Sequence, residues 1–399
     1  MSELLCKIES LAIFKGIRET EPLRSFCEFL RIADNVSETR YDVLAKYTVF
    51  VNELYKVRND GDLAYAIWIA LKNDHNPYLD AHIRRQISLM RTGEDVRISH
   101  LLKNGADKEL KLIQEIATTS YAEVEKLLAY DGYVAQFKTT GIDITERYTK
   151  MLEGLAKLGY GMFMDHVMFR FSDGSLEPVL YPDEVKIDNL FGYERKRALV
   201  VNNTKKFIKG SGEAVDMLLY GDNGTGKSST IKAVANLFAD KGIRLVELPI
   251  GYIEELPALV DMLSCIPLRF IIFFDDMSFN AGDERIGYIR SILEGSASAK
   301  RYNILIYAAC NSRYMLRQPY EGEEPETDPI GLSDRFGLKV LFDRPNKAEY
   351  INICRKMVEA RGMTISDDEA FENDCEQYAL GTGGRSVRTA RQFADRYES

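Results

Sequence analysis

Eight consecutive residues, Gly221-Asp222-Asn223-Gly224-Thr225-Gly226-Lys227-Ser228, constrain this chain more than any other stretch. They fit the pattern G-x-x-x-x-G-K-[ST] at every fixed position. Glycines there let the backbone wrap closely around phosphate oxygens with its N–H groups turned inward. Lys227 supplies a point charge for the β- and γ-phosphates, and Ser228 offers a hydroxyl to Mg²⁺. Such a loop needs a strand before it and a helix after it. Residues 215–220, Val-Asp-Met-Leu-Leu-Tyr, read as a short buried strand. Residues 229–240 read as a helix with Ile231, Val234, Ala235 and Phe238 on one face, stopped at Lys241-Gly242. The helix would point the positive end of its dipole at the phosphates. That setting argues against a fortuitous glycine-rich turn. It makes Gly221 to Ser228, with Ser229, the candidate nucleotide-binding stretch.

The second signal lies downstream. Residues 269–274, Arg-Phe-Ile-Ile-Phe-Phe, form an apolar run of the kind a strand buried on both faces requires, and it ends in Asp275-Asp276. An acid pair at the end of such a strand suits Mg²⁺ and water chemistry. Asp275 is expected to hold the metal, mainly through water, and Asp276 to orient and polarise the attacking water. Asp276 stands where P-loop ATPases of this layout commonly have Glu, one methylene longer. Asn311 follows the next buried strand, 303–309, and could position the same water. Arg335 lies in Leu332-Ser-Asp-Arg-Phe-Gly-Leu338, directly before the last strand, 339–342. Arg385 and Arg388 open the last helix after Gly383-Gly384. Each arginine could equally be a surface salt-bridge partner.

Around this centre the texture changes along the chain. Residues 1–160 read as an all-helical domain: Leu23, Phe26 and Leu30 share a face, as do Leu44, Tyr47, Val51 and Leu54, and 109–128 continues a helical pattern. These apolar positions suit a helical core, and a partner-docking role is the alternative. Residues 161–186 read as a β-hairpin around Asp173-Gly174 followed by a linker. A helix at 193–209 carries Arg195, Lys196, Arg197, Lys205, Lys206 and Lys209, a solvated face or a surface for nucleic acid or an acidic partner. Strands and helices then alternate over 187–345, which implies a parallel sheet covered on both faces. Residues 346–399 are helical, with capping-box spacing at Asn346/Glu349 and at Ser366/Glu369 and a third helix at about 385–397.

Composition narrows the class. The chain has 399 residues, 45% hydrophobic and 28% charged, with a net charge of −9, which argues against a surface given over to nucleic acid. No apolar run approaches the roughly 20 residues that span a bilayer, so no membrane role is expected. Six scattered cysteines without a C-x-x-C pair point to free thiols in a reducing, cytoplasmic setting.

Taken together, the phosphate loop, the acid-tipped strand, the polar residue after the next strand, S-D-R-F-G and the helical end resemble an AAA+ ATPase. More narrowly, residues 160–397 resemble a bacterial ATP-binding AAA+ family catalogued as a domain of unknown function. The segments that carry this are Phe169-Arg-Phe, Leu190-Phe-Gly-Tyr-Glu-Arg195, 220–229, Phe274-Asp-Asp-Met-Ser-Phe279, 332–338 and Arg388-Thr-Ala-Arg-Gln-Phe393. The resemblance implies an α/β core with sheet order 5-1-4-3-2 and a helical lid, with ATP and Mg²⁺ between them. It implies that the segment 190–193, with Phe191 and Gly192, passes near the adenine, with Asn311 as the first sensor and Arg388 as the lid sensor. Arg335 becomes a finger reaching a neighbour's γ-phosphate, hence a homo-oligomer. The family pattern is left at Asp276 and at an acidic insertion, 321–328, before the finger.

The implied task is remodelling or loading of a protein or nucleoprotein partner driven by ATP. The alternative is a nucleotide-dependent switch module that turns over slowly or not at all. Protein threading is not expected, because Pro249-Ile-Gly-Tyr252 leaves room only for a minimal aromatic pore loop. A helicase motor is not expected either, because no hairpin insertion separates the 286–293 helix from the 303–309 strand.

Overall fold

The structure is a computed structural model that describes residues 2–35, 37–279, 283–293, 301–311 and 330–397. The chain divides into two compact units, Met1–Met164 and Asp165–Ser399.

The first unit is helical, with long helices at Glu21–Ala33, Arg40–Val57, Leu63–Asn73, Pro77–Arg91 and His100–Ala117. Their starts follow from side chains that satisfy orphan N–H groups. Thr39 and Asp42 form a capping box, Asp62 caps Leu63–Asn73, and Asn76 with Pro77 opens the next helix. Leu23, Phe26, Leu30, Tyr47, Val51 and Leu54 are buried, with Phe26 stacked on Phe50 at 4.5 Å between ring centroids. Leu44, expected on that face, is only half-buried. The 109–128 pattern is not one helix. It stops at Ala117, and Ser120 with Glu123 caps a new short helix, Tyr121–Glu125. The hydroxyls of Thr118, Thr119 and Ser120 offer the backbone alternative partners there.

The second unit holds a seven-stranded sheet. Its strands are β1 (Met168–Ser172), β2 (Ser175–Pro178), β3 (Met217–Tyr220), β4 (Ile243–Glu247), β5 (Arg269–Phe274), β6 (Ile304–Cys310) and β7 (Leu338–Leu341). They lie in the order β2-β1-β4-β5-β6-β3-β7. Counting β3 as the first of the five core strands, that core reads 5-1-4-3-2, all neighbours parallel. β1 and β2 turn at Asp173-Gly174 with φ of 52° and 71°, the two left-handed residues that a type I′ turn needs. The hairpin joins the core sheet. β1 pairs in parallel with β4, so it widens the core sheet by two strands.

β5 and β6 are buried almost throughout. Tyr307 on β6 carries the main polar group in that layer, and its hydroxyl is bonded by Asn203 Nδ2 at 3.1 Å and lies 2.8 Å from Thr204 Oγ1. After β7 come three packed helices: Lys347–Glu359, Asp368–Thr382 and Val387–Arg396. Asn346 and Glu349 form the expected capping box. Ser366 does not cap the second helix; Asp367 does, accepting from the Glu369 and Ala370 N–H groups at 3.0 and 3.1 Å. A charged carboxylate at the positive helix end outcompetes the hydroxyl one residue earlier. The third helix is capped by Ser386 with Thr389. A mostly parallel sheet flanked by helices, with a phosphate loop and a C-terminal helical lid, is an AAA+ P-loop fold.

Candidate functional site

β3 delivers the chain into the loop at Gly221, whose φ is +129°. A Cβ built there would sit 2.3 Å from the Phe342 carbonyl oxygen. The glycine therefore permits β3 and the residue after β7 to close against each other. Replacing it strains both the dihedral and rigid backbone, so Gly221→Ala is expected to cost about 2 kcal/mol or more. A denaturant midpoint that falls at constant slope checks this, and an unmoved midpoint contradicts the close approach. Gly224 and Gly226 are also left-handed, at φ +74° and +91°. This shapes the backbone into a concavity of N–H groups suited to anions.

Lys227 is buried at 7% exposure. Its Nζ donates to the Gly221 and Asp222 carbonyls, both at 2.8 Å, and to Asn311 Oδ1 at 3.2 Å. Burial pushes its pKa below the usual lysine range, opposed by the negative groups around it. Ser228 Oγ donates to Asp275 Oδ1 at 2.6 Å. Asn311 Nδ2 donates to Asp276 Oδ1 at 2.7 Å. A continuous hydrogen-bonded chain thus runs from Lys227 through Asn311 to Asp276. Asp276 holds φ at +51°, in the left-handed region, directly after the strand. Aspartate enters that region several-fold more often than most residues other than glycine.

These groups line a cavity of about 460 Å³ that extends from Leu190 to Asp276. Its opposite wall is the last helix, whose start abuts the loop: the Arg388 N–H donates to the Gly224 carbonyl at 3.0 Å. Of the sequence candidates, Asn223 to Ser229, Asp275, Asp276, Asn311 and Arg388 share this cavity. Gly221 and Asp222 do not line it. Asp222 instead accepts from the Arg344 backbone N–H and from Arg344 Nε, each at 3.1 Å, on the connection between sheet and lid.

Phe191 and Gly192 do not line the cavity in this structure. Phe191 packs on the lid core, a Cβ on Gly192 would meet Ile353 Cδ1 at 2.6 Å, and Leu190 faces the cavity in their place. Arg335 is exposed, after the short helix Ile330–Asp334 and ahead of β7, and is not part of this cavity. The acidic run 321–328 lies outside the described residues.

Sequence reasoning did not pick out two contributors. Arg391 lines the cavity beside Arg388. Its three-residue spacing from Arg388 was the available signal. Arg197, read as part of a charged face, is buried and donates to the Leu190 carbonyl, which fixes the segment that borders the cavity. Two of its basic neighbours are paired, Lys196 with Asp343 and Lys206 with Glu213. Tyr252 does not project as a pore residue would: its hydroxyl donates to Asp173 Oδ2 at 3.3 Å, and Glu255 accepts from the Gly174 N–H at 2.7 Å, pinning this turn to the hairpin.

Among the described residues, no group of three or more His, Cys, Asp or Glu could hold a metal by itself. The hard oxygens of Ser228 and Asp275 fit Mg²⁺, which takes one or two protein ligands and completes its shell with phosphates and water. The six cysteines are free thiols, and no helix among the described residues is long and apolar enough to cross a membrane.

Comparison with known proteins places this geometry in context. A family model described as "Protein of unknown function (DUF815)" matches residues 164–399. No curated protein matches the chain. Solved structures that resemble it include the Thermotoga maritima RuvB Holliday junction branch migration motor, at 17% identity and a TM-score of 0.37, covering 53% of this chain and 63% of that one. Two of that motor's point mutants match at 18% and 17% identity with TM-scores of 0.37 and 0.36, each over 53% of this chain and 64% of theirs. The chain thus spans less than two thirds of the length of these structures.

Proposed function

The chain belongs to that DUF815 family, whose description assigns no activity, and we propose from the site itself that it is a Mg²⁺-dependent ATPase. In this reading ATP binding and hydrolysis drive remodelling or loading of a protein or nucleoprotein partner by a homo-oligomer. The observation that carries the reading is the convergence of the loop, both acids and Asn311 on one cavity through the Lys227–Asn311–Asp276 chain.

The loop N–H groups and Lys227 would cradle the phosphates. Ser228 and Asp275 would hold Mg²⁺, which when bound neutralises charge on the β- and γ-phosphates. Asp276 would accept the proton of the attacking water while Asn311 fixes the direction of its carboxylate. Its side chain is one methylene shorter than glutamate, so the water sits closer or a second water bridges. Arg388 would read the phosphates from the lid, and Arg335 would complete a neighbour's site. A second reading, a switch module with slow or no turnover, is favoured by the same short carboxylate and by its existing bond to Asn311. An ATPase assay with and without DNA or candidate partners separates the two. Capture of partners on the Asp276→Asn protein would identify the client.

Lys227→Ala tests the nucleotide site itself. A charge-assisted hydrogen bond contributes ~1.5–3 kcal/mol, so ATP affinity is expected to fall about 10–100-fold while the fold is retained. Calorimetry that finds unchanged affinity overturns the nucleotide reading.

A further inference from the structure

The last helix presents two arginines to the cavity, Arg388 and Arg391. Three residues apart, they sit on one helical face as neighbours, where like charges repel. The other arginines near them are engaged. Arg385 grips Glu376 at 2.9 and 2.6 Å, Arg361 pairs with Asp395, Arg355 with Asp368, and Arg396 lies over the Tyr378 ring. Among the described residues, the Arg388 and Arg391 side chains have no carboxylate partner within 4.0 Å. The helix that carries them is fixed against the loop through the Arg388 N–H to Gly224 bond. The cavity opposite is walled by Lys227 and left-handed glycines, and its volume is in the range of small-molecule sites. Asp275 and Asp276 line the far side of the same cavity, and two guanidiniums without a carboxylate partner facing the glycine loop and Lys227 suit an anion held between them.

We propose that Arg391 is a second lid contact to the phosphate chain of the bound nucleotide. It acts beside Arg388 as a two-cation clamp that makes the lid's grip depend on phosphate charge. The inference rests on the nucleotide reading above. It implies that the triphosphate is held more tightly than the diphosphate, and that Arg391 contributes to the difference. A guanidinium suits this role because its fork of donors matches phosphate oxygens.

The experiment measures ATP and ADP affinity of the full chain by calorimetry at two ionic strengths, for wild type, Arg391→Ala, Arg391→Lys and Lys227→Ala. Arg391 is exposed, so the variants are expected to melt with the wild type. Arg391→Ala is expected to weaken ATP about ten-fold and ADP less, with a shallower salt dependence. Arg391→Lys is expected to recover part of the loss. If Lys227→Ala loses ATP and Arg391→Ala does not, the clamp is wrong and the nucleotide site stands. Equal weakening of ATP and ADP overturns the charge-reading role. Wild-type protein that binds neither nucleotide overturns both proposals.

Discussion

Arg335→Ala protein is expected to bind ATP almost as the wild type does and to hydrolyse it on the order of 10³-fold more slowly or worse, the range of arginine fingers in phosphoryl transfer. Arg335 is exposed and outside its own chain's cavity, at the end of the core just before β7. An arginine so placed is expected to reach a γ-phosphate by meeting another copy's site. The consequence is a complementation test. Each working site would take Asp276 from one chain and Arg335 from its neighbour. Mixing Arg335→Ala with Asp276→Asn protein creates some interfaces with both groups intact. Two nearly inactive preparations should regain part of the activity once subunits exchange. Activity that stays at the sum of the two, despite demonstrated exchange, means that Arg335 acts within its own chain or not at all.

Asp276→Asn is expected to keep Mg-ATP binding and to lower turnover by about 10²–10⁴-fold, the usual contribution of a positioned general base. The substitution is conservative in every respect but one. Asparagine tolerates the left-handed backbone as aspartate does. Its amide oxygen can still accept from Asn311 Nδ2, the bond now made by Asp276 Oδ1. What it loses is the negative charge that accepts a proton. The variant should also accumulate in the ATP-bound assembly, visible by size-exclusion chromatography with ATP. Turnover equal to wild type would reassign the base. A wild type with no hydrolysis under any condition would favour the switch module.

The loop, the acid-tipped strand and the lid were legible because their signals are local. Residues 221–228 form one contiguous motif, 269–274 one apolar run, and Asn346/Glu349 one cap. Two misses are local, the cap at Asp367 instead of Ser366 and the break after Ala117; the others are tertiary. Nothing near residue 168 announces that β1 will pair with β4, about 75 residues on. The sequence marked the 190–193 segment, but which of its residues walls the cavity depends on how it lies against Ile353, which no periodicity records. Arg197 looks like its charged neighbours in sequence, yet burial turns it inward to a carbonyl. Arg391 needed the start of the last helix to be seated on Gly224 before its spacing from Arg388 meant anything.

The positive φ at Asp276 has a consequence for which residues this position admits. The reach of a longer acid would suggest Asp276→Glu as an upgrade toward the more common arrangement. The backbone opposes it: a glutamate forced into a left-handed conformation carries strain that aspartate largely avoids. Any relaxation would move the turn that bonds the Met277 N–H to the Ala309 carbonyl at 2.8 Å, next to Asn311. The shorter acid is therefore a co-adaptation of side chain to main chain. Faster catalysis by substitution here would require rebuilding the turn along with the residue.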